Sequence, residues 1–466
     1  MTDNASIDAA LSIPLHRPRK STRTKLWFGG TLLAAFLLIL VIGNQFLSRD
    51  KAVERNMLGH DFTAFYSAGH FAALGQFDKL YDVQAIKDFE QETGRRYGLS
   101  LGDSYGPYWN PPFYAWIFAP LSHFPYPQAL FIWTLLNAAC GLAATILLCQ
   151  MLPTSSWQTR ALVLLLLFIS MPVIQALSHG QNTMTSLLLL TATVTFWRRG
   201  DALLAGLICG LLFYKPQLGA IVAIALIATL GWRSLMGLAI TGTILLFITI
   251  ATMPGALIDF LHHLPINVRF MQIEHPYVWE RHATIKAFWR LLFQGRGAGE
   301  PKLIVTLLTL AICVTLAGGL CIAMWRARSS LFSDRKTPTP DSLIAATIAT
   351  MPLLMPFYFD YDLMLLAIPA VLFAGEFVAR ASRLDSWLIR AWIALYLWML
   401  INPGIAGATR VNFTVPLLTS VAAMLILRAI GPHELPLLRF RRFHVAADDS
   451  RGRQPRVRFA GAAAHG

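Results

Sequence analysis

A few residues of this 466-residue chain combine a reactive side chain with a setting that demands a reason for it. Asp61 heads an aromatic stretch, Phe62-Thr-Ala-Phe65-Tyr66-Ser-Ala-Gly69. One carboxylate there can take the proton from an attacking hydroxyl. It can equally cap a helix starting at Phe62, since Asp is a preferred N-cap, and on residue type alone capping is the better reading. Lys215 breaks an apolar stretch within Lys215-Pro216-Gln217. A lysine in lipid costs ~2.5–3.5 kcal/mol on insertion scales, so it must face water, protein or an anion. A membrane-embedded phosphate suits it, and snorkelling to the interface is the equal alternative. His179 and Gln181-Asn182 make a polar turn that can bind sugar hydroxyls or serve only as a turn. His262, His263, His275 and His282 are irregularly spaced, which is no metal signature. No metal or other cofactor is expected.

The elements that hold these residues must lie in a membrane. The chain is 55% apolar and 14% charged, where a soluble protein carries about 25% charge, and its mean hydropathy is +0.53. Apolar runs recur from residue 26 to 430, many near the ~20 residues of a bilayer crossing. No ~10-residue alternating strands of a barrel appear. A soluble enzyme, a disordered chain and a disulfide scaffold are excluded. The five cysteines lie inside apolar runs without a CxxC pair and read as packing residues. The fold expected is all-α: a polytopic membrane protein of about 12 transmembrane helices, with surface-lying helices in large outer loops.

The candidate spans are about 26–46 (a signal-anchor helix), 127–151, 161–178, 181–197, 202–214, 216–231, 234–252, 302–325, 342–358, 362–379, 387–402 and 412–430. Residues 202–231 are the branch point. A single helix would put Arg198-Arg199 and Arg233 on opposite sides, and a hairpin broken at Lys215-Pro216 puts them together. With the hairpin, the side holding both termini carries 24 Lys and Arg against 10 Asp and Glu, and the other side 15 and 15. The whole net charge of +14 then lies on one side, cytoplasmic by the positive-inside rule. The domains are a basic N-terminus at 1–25, a membrane domain at 26–430 with outer loops at about 47–111 and 253–301, and a basic tail at 431–466. That tail reads as a contact for anionic membrane lipids, and no nucleic acid is expected.

Within the first outer loop, apolar and aromatic residues from Phe62 to Tyr81 recur at helical spacing and predict an amphipathic helix on the outer surface. Residues 83–93 suggest a more charged turn or two. Phe113 to Leu121 is too short to span and reads as re-entrant or interfacial. In the second loop, Tyr277, Trp279 and Trp289 read as interfacial belt rather than a carbohydrate platform, and Arg269, Arg281, Lys286 and Arg290 stand beside them as weak candidates for a lipid phosphate.

The series Gly59-His-Asp-Phe-Thr-Ala-Phe-Tyr-Ser-Ala-Gly69, Leu80-Tyr81-Asp82, Asn110-Pro111-Pro112-Phe113, Ala119-Pro120-Leu121, Gly180-Gln181-Asn182, Ala205-Gly206-Leu207, Lys215-Pro216-Gln217 and Tyr361-Asp362-Leu363 resembles, in order, glycosyltransferase family 87. The likeness runs from about residue 57 to 370. It departs at Asn110, where members often have an aromatic residue before the paired prolines, which puts the sugar preference in question. The resemblance implies a GT-C-type membrane enzyme with a polyprenyl-phosphate sugar donor, like the mycobacterial α-mannosyltransferases. It implies inverting transfer of a hexose, mannose being one candidate, to an envelope glycan or glycolipid acceptor. The reaction would take place outside the bacterial inner membrane.

The same resemblance reverses the reading of Asp61, which becomes the general base. A phosphate leaving group needs little acid help, so one carboxylate suffices. Lys215 would hold the donor phosphate. Gln181, Asn182, Asp362, Tyr66 and Asn110 would contact sugar or acceptor. Asp360-Tyr361-Asp362 is formally the DxD of nucleotide-sugar transferases, but at a helix start on the outer face it suits capping or an acceptor hydrogen bond better than a metal. The rival functions are a secondary transporter or lipid flippase and a non-catalytic envelope scaffold. A transporter would show paired broken helices in both halves, and only the Lys215 break is evident.

Overall fold

A computed structural model of the protein describes residues 30, 58–99, 101, 106–152, 156–333, 340–379 and 383–431. The expected span at 26–46 and the basic tail lie outside the described residues, Gly30 and Gly431 apart. The chain divides into residues 1–430 and 431–466. The first unit is essentially helical, and one isolated bridge, His282 to Phe359, is the only strand-like pairing among the described residues.

The first loop carries α1 (Phe62–Ala73) and α2 (Val83–Tyr97). Then come α3 (Tyr126–Gln150), α4 (Trp157–Phe168), α5 (Met171–His179) and α6 (Thr183–Arg199). The next three helices have no long connections: α7 (Ala202–Gly210), α8 (Pro216–Leu230) and α9 (Trp232–Thr252). The second loop holds α10 (Ala256–Arg269) and α11 (Ile285–Gln294). The rest is α12 (Leu303–Ser333), α13 (Asp341–Leu354), α14 (Ala367–Ala379), α15 (Arg383–Thr409) and α16 (Thr414–Ile430).

Four of these, α3, α9, α12 and α15, are long and apolar enough to cross a membrane. The pair α4 and α5, bent by 57° at a short break, makes a fifth if it is one span. The break falls at Ile169-Ser170, and Pro172 restarts the chain in the first turn of α5, where a missing N–H costs nothing. Phe131, Phe247 and Trp325 stand exposed on the long helices, an apolar surface suited to lipid.

The chain breaks at Lys215 as expected. A 3-10 turn, Leu211–Tyr214, ends there, and Pro216 opens α8. Proline drives the preceding residue out of the helical region, and Lys215 has φ −129° and ψ 74°. From this point the chain turns back on itself. The hydroxyl of Thr241 in α9 donates to the carbonyl of Leu207 in α7 at 2.9 Å. One turn earlier on both helices, Gly237 packs on the Leu203 carbonyl, so closely that a Cβ there would strike it, and further along α7 Gly210 packs against Thr241. Contacts that advance together along both helices mean that α7 and α9 run in the same direction, so α8 must run back between them. Arg198, Arg199 and Arg233 therefore share one end of the bundle. At that end Arg198 forks onto Asp341 at 2.6 and 2.9 Å, and the Trp197 indole donates to Thr229 at 3.0 Å.

The first loop departs from the expectation. α1 is not a surface-lying amphipathic helix, because ten of its twelve residues are buried. The short segment at 112–123 covers one side, with Phe118 stacked on Phe65 at 4.8 Å. Burying each such side chain is worth ~1.5–3 kcal/mol. α2, capped by Asp82 through Gln84 N and Ala85 N, covers another side and is the amphipathic helix of this loop, burying Ile86, Glu90 and Thr93.

Candidate active site

Asp61, Gln181, Asn182, Lys215 and Asp362 gather at the opposite end of the bundle from Arg198 and Asp341, because each sits at a turn or helix start of that end. The α5–α6 turn carries His179, Gln181 and Asn182. Gly180 there adopts φ 70°, the left-handed conformation that ends α5. The tip between α7 and α8 carries Lys215. The 3-10 segment Asp360–Leu366 leading into α14 carries Asp360 and Asp362.

Asp61 does not cap α1. It already has helical backbone angles, and its side chain makes no cap hydrogen bond. Its backbone N–H instead donates to His179 O at 3.1 Å, and Gly59 N donates to Ser178 O at 2.8 Å. These bonds fasten the start of α1 to the α5–α6 turn. The carboxylate is then free for side chains. Gln181 Nε2 donates to Oδ2 at 2.7 Å, and His60 Nδ1 is 3.5 Å from Oδ1. The Asp61 side chain remains 30% exposed, so a ligand can reach it. Burial would raise its pKa, but His60, the nearby His179 and the Gln181 amide outweigh that and hold it well below the usual carboxylate range. The bond to Asp61 in turn raises His60 against the opposing effect of burial.

Lys215 does not snorkel. Its side chain is only 10% exposed, and Nζ lies 3.2 Å from Oδ1 of Asp362, whose side chain is 6% exposed. Thr183 donates to the same oxygen at 2.8 Å. Asp360 faces a different cation: Arg281 Nε and Nη2 bind its two oxygens at 3.3 and 3.1 Å, with Gln175 at 3.1 Å. The two DxD carboxylates thus go to separate partners. No group of three or more metal-binding side chains occurs among the described residues. The Tyr361 ring lies between the two pairs, with Lys215 Nζ 5.5 Å and Arg281 Cζ 6.0 Å from its centre. Arg281 also reaches His179 Nε2 at 3.2 Å, which links this pair to the backbone beside Asp61.

Asn182 is enclosed. Its amide donates to Tyr114 OH at 3.0 Å, while its Oδ1 has no partner among the described residues. Tyr114 stacks on Tyr214 at 4.4 Å, the residue before Lys215. Asn110 donates to the Tyr214 carbonyl at 2.8 Å and so braces the hairpin tip from behind. Tyr66 points away from the cluster, donating to Phe124 O at 2.8 Å. Asp61, Gln181, Asn182, Lys215 and Asp362 are therefore brought together, and Asn110 and Tyr66 buttress the surrounding shell.

Two neighbours, His60 and Glu90, carry no site reading in the sequence, while Arg281, a weak lipid-phosphate candidate there, and Asp360, read there as a cap or acceptor contact, are paired with each other. Glu90 is 1% exposed, accepts from Gly106 N at 2.8 Å, and is pushed up to about 7 by burial. A charged residue on the buried face of an otherwise polar α2 was the available signal. Trp279, expected in an interfacial belt, is enclosed instead.

The chain matches no curated protein and no solved structure. The family model of glycosyltransferase family 87 matches residues 108–356, which include Asn110, Gln181, Asn182 and Lys215 but not Asp61, Tyr66 or Asp362. With more than half of its length matched in this way, the chain belongs to glycosyltransferase family 87.

Proposed function

We propose that the protein is a hexosyltransferase of the bacterial inner membrane that uses a polyprenyl-phosphate sugar, with mannose a candidate hexose. The acceptor is an envelope glycan or glycolipid. Transfer inverts the anomeric centre on the outer face, and about twelve spans leave both termini cytoplasmic. Family membership supports glycosyl transfer, and one observation carries the assignment of roles. Asp61, which could have capped α1, is held by the Gln181 side chain at 2.7 Å in the same cluster as two cations.

In this reading the acceptor hydroxyl approaches the exposed part of Asp61. The carboxylate takes the proton as the oxygen attacks the anomeric carbon. The carbon–phosphate oxygen bond breaks, and the lipid phosphate leaves with the electron pair. Lys215 stabilises that phosphate, with Arg281 as a second cation. Gln181 holds the carboxylate, and Asn182 and Asp362 orient sugar. Asn110 and Tyr66 shape the site without touching substrate. The test is a product assay of purified protein in lipid with a panel of polyprenyl-phosphate sugars. Transfer from none of them, in the presence of envelope glycolipid acceptors, would sink the reading.

A further inference from the structure

The second loop contains two cations that share one acidic neighbour, Glu300, which is itself bound by Arg269. Lys286 and Arg290, one turn apart on α11, both lie over the Trp279 ring, with Nζ at 5.6 Å and Cζ at 5.4 Å from its centre. Glu274, Glu280 and Glu300 of this loop each lie in a salt bridge with another cation, and of these only Glu300 also acts on these two at longer range. Arg269 binds Glu274 at 3.4 Å and Glu300 at 3.1 Å, Arg296 binds Glu280, and Arg281 binds Asp360. Lys286 has only the neutral Gln272 Oε1 at 3.3 Å. Arg290 has the Gly299 carbonyl and Gln294 Oε1. Neither forms a salt bridge among the described residues. Arg290 is 0% exposed, and its Nε and the Trp279 indole N–H are both buried without a partner. Two like charges held one turn apart repel, and an enclosed charge with unused donors is costly unless something anionic answers it.

The surroundings say what kind of anion. Lys286 is partly exposed, so a ligand meets its ammonium first and Arg290 lies behind. On α11, Leu292 and Phe293 stand exposed. Further along the chain, Leu303 and Ile304 are exposed at the start of α12, one of the helices long and apolar enough to cross a membrane. Cations beside apolar side chains where a helix enters the bilayer match a group that joins a phosphate to hydrocarbon.

We propose that Lys286 and Arg290, with the indole N–H of Trp279, form a binding site for the phosphate of an anionic lipid headgroup. The site is independent of the assignment of Asp61 and its neighbours. Bound there, a lipid would fix the second loop, and through Arg281 it would steady the Asp360 pair.

The test uses the full protein in neutral detergent, titrated with short-chain phosphatidylglycerol, short-chain phosphatidylcholine or inorganic phosphate, with bound ligand read by native mass spectrometry. Lys286→Gln should weaken phosphatidylglycerol binding by about fivefold, the contribution of one basic residue at a membrane surface. Its thermal stability without lipid should equal or exceed that of the wild type. Gln272→Glu supplies the missing counter-ion beside Lys286, so it should abolish phosphatidylglycerol binding and raise stability. Equal phosphatidylglycerol affinity in wild type and both variants overturns the site. So does phosphatidylcholine binding as tight as phosphatidylglycerol. Inorganic phosphate binding as tightly as the lipid overturns the lipid assignment.

Discussion

Gln181 Nε2 and Asp61 Oδ2 meet at 2.7 Å across 120 residues of chain, and this contact turns a carboxylate that could have capped a helix into one held for another purpose. Asp61→Asn should fold normally, since no cap is lost. If Asp61 is the general base, turnover falls by ~10²–10⁴-fold with donor binding little changed. Near-normal glycosyl transfer by the Asn variant would remove Asp61 from that role. Gln181→Glu sets a second carboxylate against the first, so the pair should share a proton. The acid limb of the rate profile should then move up by one or more pH units, read from rates between pH 4 and 8.

The Lys215–Asp362 pair predicts a non-additive result. Lys215→Met leaves a buried aspartate without its cation and should destabilise the protein by ~3–5 kcal/mol. Adding Asp362→Asn should recover most of that stability. Donor binding, measured on the stable double variant, should stay weak if Lys215 holds the donor phosphate. Wild-type donor affinity in the double variant would leave Lys215 as a partner for Asp362 only.

Glu90 gives a pH dependence of stability with a definite sign. Its carboxyl is raised from its ordinary 4.5 to about 7 by burial. The folded protein therefore holds this proton more tightly than the unfolded chain does. No penalty exists below about pH 4.5; it grows as pH rises and is complete above about pH 7. Glu90→Gln keeps the acceptor for Gly106 and removes the charge. Melting temperatures should match the wild type near pH 4.5 and exceed it at pH 8, by the equivalent of up to roughly 3 kcal/mol. Equal melting temperatures at both pH values would contradict a neutral, buried Glu90.

The shared end of α7 and α9 predicts that single cysteines at 200 and 233, in a cysteine-free background, react alike with an impermeant thiol reagent. Both should be protected from outside and labelled in inverted vesicles. Labelling of only one from outside would break the hairpin.

Much of the helix layout could be read from apolar run length, because a bilayer sets it. From α3 onward the described helices outside the second loop fall near the expected apolar runs, though only four or five of them are long and apolar enough to cross a membrane, and Pro216 marks the break at Lys215. The first loop was misread for a physical reason. Phe62, Phe65, Tyr66 and Phe71 are apolar on several sides of α1, and whether such a helix lies on lipid or under other segments depends on residues 83–123, which periodicity within 62–81 cannot weigh. The candidate residues were mostly legible as types, but their pairing was not. Lys215 meets Asp362 across 147 residues, and Arg281 meets Asp360 across 79. His60 was overlooked beside Asp61, and Glu90 is recognisable only once α2 shows which face it buries.

The short arms of the α7–α8 hairpin have a consequence for how a donor would arrive. Thirteen residues out and fifteen back reach only about 20 Å at ~1.5 Å per residue, against a hydrocarbon core of ~30 Å. On the proposed topology, Lys215 would therefore lie below the level at which lipid headgroups float, in a recess of the leaflet. A donor whose phosphate is tethered to a long isoprenoid can slide in from the side and lower its headgroup slightly. It need not be lifted out of the bilayer. Search for such a donor would then take place in two dimensions, and most of the anchoring hydrocarbon would stay in lipid throughout the reaction.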